Sequence, residues 1–134
     1  MQNEKKNNHN TRALNNFMSG LEPDFIVKTI EEVFFGFVQT EDYTDITARE
    51  KDGIVHCYRN IIKFINGISV DAPKALNDFL YLIEPKQAKQ TLETMLTTYM
   101  LTDNFCDSPK GTREVISFET NSVIGFFSEL MKNK

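Results

Sequence analysis

The chain has 134 residues, of which 40% are apolar and 25% charged, and its formal net charge is −4 at pH 7. This length suits one globular domain with a moderate core, and the apolar fraction is too high for a disordered chain. The first twelve residues hold three basic side chains and one acidic one, so the rest of the chain carries a net charge of −6 and is a poor default partner for nucleic acid.

The N-terminal part is polar and then becomes amphipathic. Residues 1–10 are rich in asparagine and lysine, which predicts a disordered tail, followed by one helical domain over residues 11–134. A short helix is expected over residues 11–18 and a long helix over residues 23–39, with Pro23 in its first turn. After the acidic connection TEDYTD, Thr47 and Glu50 have the spacing of a capping box.

The helix that Thr47 opens is predicted to be the central core helix and to stop at Gly67. Asp71 is expected to cap a helix that has Pro73 in its first turn and ends near residue 83. Further helices are predicted over residues 85–104 and 112–131. Residues 113–119 partly alternate as a strand does, although the flanking signals favour helix. We therefore expect an all-α, single-domain bundle of five main helices plus a short N-terminal helix, with successive helices antiparallel.

Three phenylalanines fall outside the apolar sectors of their helices. On a helical wheel, Phe25 and Phe35 project from opposite edges of the first long helix, and Phe118 lies on the back of the last one. An apolar excess of this kind is typical of an interface, so these three are the interface candidates. The stretches VFFGFVQ (33–39) and VIGFF (123–127) each place a glycine, Gly36 or Gly125, on the outer side of a helix.

Two polar features are candidate sites. His56, Arg59 and Lys63 share one helical stripe that could hold an anion or an acidic partner, although a solvated surface is the favoured explanation. Glu119 falls inside an apolar sector if the last helix is continuous, and a buried carboxylate is typical of a functional site. The alternative, favoured by the sequence ETNS, is a helix break that releases Glu119 to solvent.

No catalytic, nucleotide-binding or metal-binding motif is present in the sequence, and Cys57 and Cys106 lack a CxxC spacing. We therefore expect two buried or partly buried free thiols, no metal, no cofactor and no enzymatic activity. The N-terminus lacks the apolar core of a secretory signal, and no stretch of 18 apolar residues occurs, so the expected location is the cytoplasm.

The favoured functional hypothesis is protein–protein interaction, with a second copy of this chain or with another protein, without catalysis and without a membrane. The alternative is a helical domain that binds a small molecule in a pocket lined by Phe34, Phe37, Tyr58 and Phe126, with Glu119 as its polar group. A less favoured alternative is a DNA-binding regulator with a turn at residues 67–71, since the helix that follows offers few suitable outward side chains.

Overall fold

The computed structural model describes the backbone of residues 2–132 and the side chains of residues 8–132. Within that range the chain is all-α, as the sequence predicted, and strands are absent from these residues. Met1, Asn133 and Lys134 lie outside the described residues. The seven helices of the described range are α1 (Gln2–Met18), α2 (Pro23–Val38), α3 (Glu41–Asp45), α4 (Ala48–Leu82), α5 (Pro85–Met100), α6 (Asp103–Cys106) and α7 (Lys110–Met131).

Local signals start several of these helices where the sequence predicted. Pro23 and Pro85 occupy the first turns of α2 and α5, where a missing N–H leaves no intrahelical bond unmade. The capping box is confirmed: the Glu50 N–H donates to Thr47 Oγ1 at 3.1 Å, and the Thr47 N–H donates to Glu50 Oε1 at 3.4 Å. The acidic connection is itself a short helix, α3, with Thr40 as its cap.

The predicted disordered tail is replaced by helix, because α1 already begins at Gln2. Ala13 and Leu14 are buried, and the His9 ring nitrogen Nε2 lies 2.7 Å from the carbonyl oxygen of Glu129 on α7. Once α1 is anchored against α7 in this way, each additional turn toward the N-terminus adds hydrogen bonds without a new nucleation cost. The composition of residues 1–10 could not predict this contact, because His9 and Glu129 are 120 residues apart in the sequence.

Helix α4 folds back on itself at Asp71, which has extended backbone angles (φ −157°, ψ 92°) between two helical arms, residues 48–70 and 72–82. In a straight helix Phe64 and Phe79 would lie about 22 Å apart along the axis, whereas their ring centroids are 5.5 Å apart. The predicted cap is confirmed, since Asp71 Oδ1 accepts a hydrogen bond from the Lys74 N–H at 3.2 Å. Gly67 does not end the first arm.

The last helices differ from prediction at their ends. Helix α5 stops at Met100, and Thr102 then caps the short α6. Helix α7 starts at Lys110 and runs without interruption to Met131, so residues 113–119 are helical and the favoured break at ETNS is wrong. The Ser117 hydroxyl accepts a hydrogen bond from the Asn121 side-chain amide, and the Ser122 hydroxyl donates to the Phe118 carbonyl oxygen. The polar run is therefore accommodated within the helix.

Helices α2 and α5 pack against each other, and each also packs against α4 and α7, while α1 packs against α7. The helix predicted to be central, α4, packs against both α2 and α5, and its Phe64 ring contacts Phe126 and Phe127 of α7. The buried apolar residues of all these helices form one cluster, consistent with a single domain. None of the helices in the described range has both the length and the apolar character needed to cross a membrane.

Gly36 lies against the ring of Tyr99, which packs so closely that a Cβ at position 36 would overlap ring atoms Cδ1 and Cε1. The Tyr99 hydroxyl donates to Glu32 Oε1, one turn earlier on α2, at 3.4 Å. Gly36 thus permits the contact between α2 and α5. Gly125, in the matching position of VIGFF, has open space where its Cβ would be.

The two glycines predict opposite effects of the same substitution. Gly36→Ala should lower the free energy of unfolding by about 1–2 kcal/mol, because overpacking against Tyr99 outweighs the helix propensity gained. Gly125→Ala should raise it by about 0.5–1 kcal/mol, because only the propensity changes. Urea denaturation of both variants measures the difference, and stabilisation by Gly36→Ala would contradict the Tyr99 contact.

Candidate functional site

Two of the three interface candidates lie on one surface, which we call the phenylalanine face and define as Phe25, Val115 and Phe118. Phe25 and Val115 line the same depression of about 380 Å³ between α2 and α7. Phe118 follows Val115 by three residues on α7 and so lies on the same side of that helix. The exposed fractions are 43% for Phe25, 39% for Val115 and 69% for Phe118. Three large apolar side chains therefore face solvent together.

Phe35 is also exposed, at 53%, but it does not line the depression beside Phe25. It lines an adjoining depression with Glu31 and Tyr99, and the two depressions share Lys28 and Glu32. Ten residues of helix separate it from Phe25, a distance of about 15 Å along the axis. The sequence identified all three exposed rings, and the structure brings only Phe25 and Phe118 into one region.

Glu119 lies beside the phenylalanine face and is half-buried within the continuous helix α7. Burial raises the pKa of its carboxyl above the ordinary value, and the negative charge of Glu22 raises that pKa further. Its neighbour Thr120 is fully buried, and the Thr120 hydroxyl has no hydrogen-bond partner among the described residues. The Glu119 carboxyl therefore lies near the like charge of Glu22. Among the described residues, Glu119 forms no ion pair with a cation that would offset this repulsion.

The stripe on α4 is exposed, as its sequence position indicated. His56, Arg59 and Lys63 all face solvent. The side-chain amide of Asn60, which lies next to Arg59, donates to the His56 carbonyl oxygen at 2.8 Å. Arg59 and Lys63 form no ion pair with the described residues. The stripe therefore has positive charge that the described part of the chain leaves uncompensated.

A groove of about 220 Å³ runs between the two arms of α4. Phe64 and Phe79 form its floor. The arms lie closest at Gly67, where an added Cβ would be only 2.9 Å from the Ala75 Cβ. The rim also carries charged side chains. The residues that line it are Asn60, Lys63, Phe64, Gly67, Val70, Asp71, Lys74, Ala75, Asp78, Phe79 and Leu82.

The residues expected to line a phenylalanine pocket are instead packed against other rings. Phe34 stacks on Tyr58 with centroids 3.8 Å apart, and Phe126 stacks on Phe17 at 4.6 Å. Phe37 is buried and contacts Tyr43 edge-on at 5.4 Å. The groove of α4 is lined by different phenylalanines.

The two thiols are free but differ in environment. Cys57 is fully buried, and burial raises the pKa of its thiol. Cys106 is exposed, which corrects the expectation that both cysteines are at least partly buried, because the short helix α6 turns its side chain outward. Among the described residues, His, Cys, Asp and Glu side chains form no group of three that could hold a metal ion.

The exposed apolar residues next to the bend and at the end of α4 were missed by sequence reasoning. Val70 and Tyr81 are 89% and 87% exposed, and Leu82 is 50% exposed. Their helices could be located from sequence, but the side that each arm buries depends on how the arms fold together at Asp71. The pair Gly67 and Ala75, eight residues apart across a proline-containing cap, was the available signal for close approach of the arms.

Comparison of this chain with protein-family models, with curated proteins and with solved structures gave no match.

The environment of Glu119 predicts a pH dependence of stability. Because its pKa is raised in the folded state, the native protein holds the proton more tightly, and stability falls as pH rises from the ordinary glutamate pKa near 4.3 through the raised value. Glu119→Gln should therefore be slightly more stable than the wild type at pH 7. At pH 3.5, where both side chains are neutral, that gain should disappear.

Thermal unfolding followed by circular dichroism between pH 3.5 and 7.5 measures this difference. Glu93→Gln, a change at an exposed position of α5, controls for the altered net charge. A gain from Glu119→Gln that is as large at pH 3.5 as at pH 7 would show that the carboxyl charge is not its cause.

Proposed function

We propose that this chain works by protein–protein contact, as a homodimer joined through the phenylalanine face, and that it is not an enzyme. The observation that carries the proposal is the joint exposure of Phe25, Val115 and Phe118 beside the half-buried Glu119. Adjacent exposed aromatic rings commonly mark an interface, since phenylalanine is enriched at the buried centres of such surfaces.

The size of this face sets the strength expected of the dimer. Three partly exposed side chains of this kind supply on the order of 300 Å² of apolar surface. A standard interface takes about 800 Å² from each partner, so the surrounding polar residues must contribute the larger part. We therefore infer a dimer of moderate strength, with a dissociation constant on the order of 1–10 μM.

The charges around the face favour a second copy as the partner. Lys28 lines the depression with Phe25 and forms no ion pair with the described residues, while Glu22 and Glu119 lie near each other on the same side. In a twofold interface each surface meets its own copy, so Lys28 of one chain can approach the acidic pair of the other. That contact would offset the repulsion between Glu22 and Glu119.

The alternatives have less support. DNA binding has little support from charge. In the second arm of α4, Lys74 is paired with Asp78 at 2.7 Å, and Asn77 is neutral, so this arm offers little net positive charge to a phosphate backbone.

A cytoplasmic location suits the exposed free thiol of Cys106, since thiols stay reduced in that compartment.

Phe118→Asp should convert the dimer to a monomer, because a desolvated aspartate at the centre of the interface would remain unpaired. The dissociation constant should rise at least tenfold. Sedimentation equilibrium between about 1 and 100 μM measures it, and a wild-type chain that stays monomeric at 100 μM would overturn the proposal.

Tyr81→Asp is the matched control, because Tyr81 is more exposed than Phe118 but lies on α4, outside the phenylalanine face. It should leave the dimer intact. Phe35→Asp should also leave it intact. If Phe35→Asp separates the chains and Phe118→Asp, still folded, does not, the interface lies at the other end of α2 and the named face is wrong.

A further inference from the structure

The groove between the arms of α4 has an apolar floor with a positive charge at one end. Phe64 and Phe79 lie at the bottom, and Lys63 stands on the rim of the first arm. Val70 lies on the same rim seven residues after Lys63, which is about 10 Å along the helix axis. The groove is therefore an elongated apolar surface that starts at a cation.

The charged side chains on the rim of the groove are distributed unevenly between its two ends. Lys74 and Asp78 pair with each other at 2.7 Å. Asp71 lies at the bend, where its carboxylate accepts from the Lys74 N–H and so faces the start of the second arm. Lys63 is left without an ion pair among the described residues, and Arg59, one turn earlier, adds a second positive charge at that end. An anionic group is favoured beside Lys63 and disfavoured beside Asp71.

The volume limits the size of an occupant. About 220 Å³ exceeds the roughly 150 Å³ that suffices for a benzene-sized molecule. It falls short of the roughly 300–1,000 Å³ that hold drug-sized ligands. A saturated chain of about eight carbons in staggered conformation spans close to the length between Lys63 and Val70.

From these features we propose that the α4 groove binds a medium-chain alkyl carboxylate. The carboxylate pairs with the Lys63 ammonium, and the alkyl chain lies over Phe64 and Gly67 toward Val70. Gly67 contributes because it lets the two arms approach each other at Ala75, where a Cβ on residue 67 would lie 2.9 Å from the Ala75 Cβ, and this approach shapes the groove. This site is separate from the phenylalanine face and does not depend on dimerisation.

Octanoate is the probe, and octanol and octylammonium are its uncharged and oppositely charged counterparts. Amide chemical shifts of the full chain, followed during titration, should move for residues that line the groove, with a dissociation constant on the order of 1 mM for octanoate. Octanol and octylammonium should both bind more weakly than octanoate, because neither carries a negative charge that pairs with Lys63.

Lys63→Gln should weaken octanoate binding about two- to fivefold and leave octanol binding unchanged. Val70→Asp should weaken both, since it places a charge at the chain end of the groove. Both positions are exposed, so folding should be retained. Lys86→Gln, an exposed lysine of α5 that does not line the groove, is the matched control and should bind octanoate as the wild type does.

Three results would overturn the proposal. Octanoate at 10 mM could leave the amides of the groove unmoved, or move those of the phenylalanine face instead. Octylammonium could bind as tightly as octanoate. Folded Lys63→Gln could bind octanoate with unchanged affinity, in which case the carboxylate does not contact Lys63.

Discussion

A series of phenylalanine contacts joins α1, both arms of α4 and α7. Phe17 stacks on Phe126 at 4.6 Å, Phe126 stacks on Phe64 at 5.6 Å, Phe64 contacts Phe79 at 5.5 Å, and Phe79 stacks on Phe127 at 5.2 Å. The chain has 11 phenylalanines and no tryptophan, so these rings supply most of its large aromatic surface. A buried ring of this kind removes about 150–250 Å² from water, and each aromatic pair adds about 0.5–1.5 kcal/mol. The cluster therefore fixes the position of four segments that are distant in sequence.

Both candidate surfaces follow from that cluster. On α7, nine residues separate Phe118 from Phe127, and nine steps of about 100° place two side chains on opposite sides of a helix. Burying Phe127 completely thus turns Phe118 outward, to 69% exposure. On α4, Phe64 and Phe79 belong to the core and also form the floor of the groove. The shape of the groove is therefore set by core packing, and it can be pre-formed before any ligand arrives.

Sequence reasoning succeeded where the cause is local. The capping box at Thr47, the cap at Asp71 and the exposure of Phe118 depend on residues within a few positions or on helical periodicity alone. It failed where the cause is distant in the chain. The start of α1 at Gln2 depends on a contact with α7, and the groove depends on how two arms fold together. Glu119 combines both cases: its place in an apolar sector was predictable, but the approach of Glu22 was not.

The two glycine-containing stretches illustrate how a distant contact gives meaning to a local pattern. A glycine within a helix costs up to about 1 kcal/mol relative to alanine, and of Gly36 and Gly125 it is Gly36 that has a contact to offset this cost. Tyr99 reaches it from α5 and is held there by Glu32. With Phe34 and Phe37 in the core and the back of Gly36 covered by Tyr99, Phe35 is the member of VFFGFVQ that must project into solvent. Its exposure is therefore a consequence of packing α2 against α5, and no partner is needed to explain it. Phe118 is turned outward by the burial of Phe127 in the same way, so what distinguishes the phenylalanine face is that Phe25, Val115 and Phe118 are exposed together.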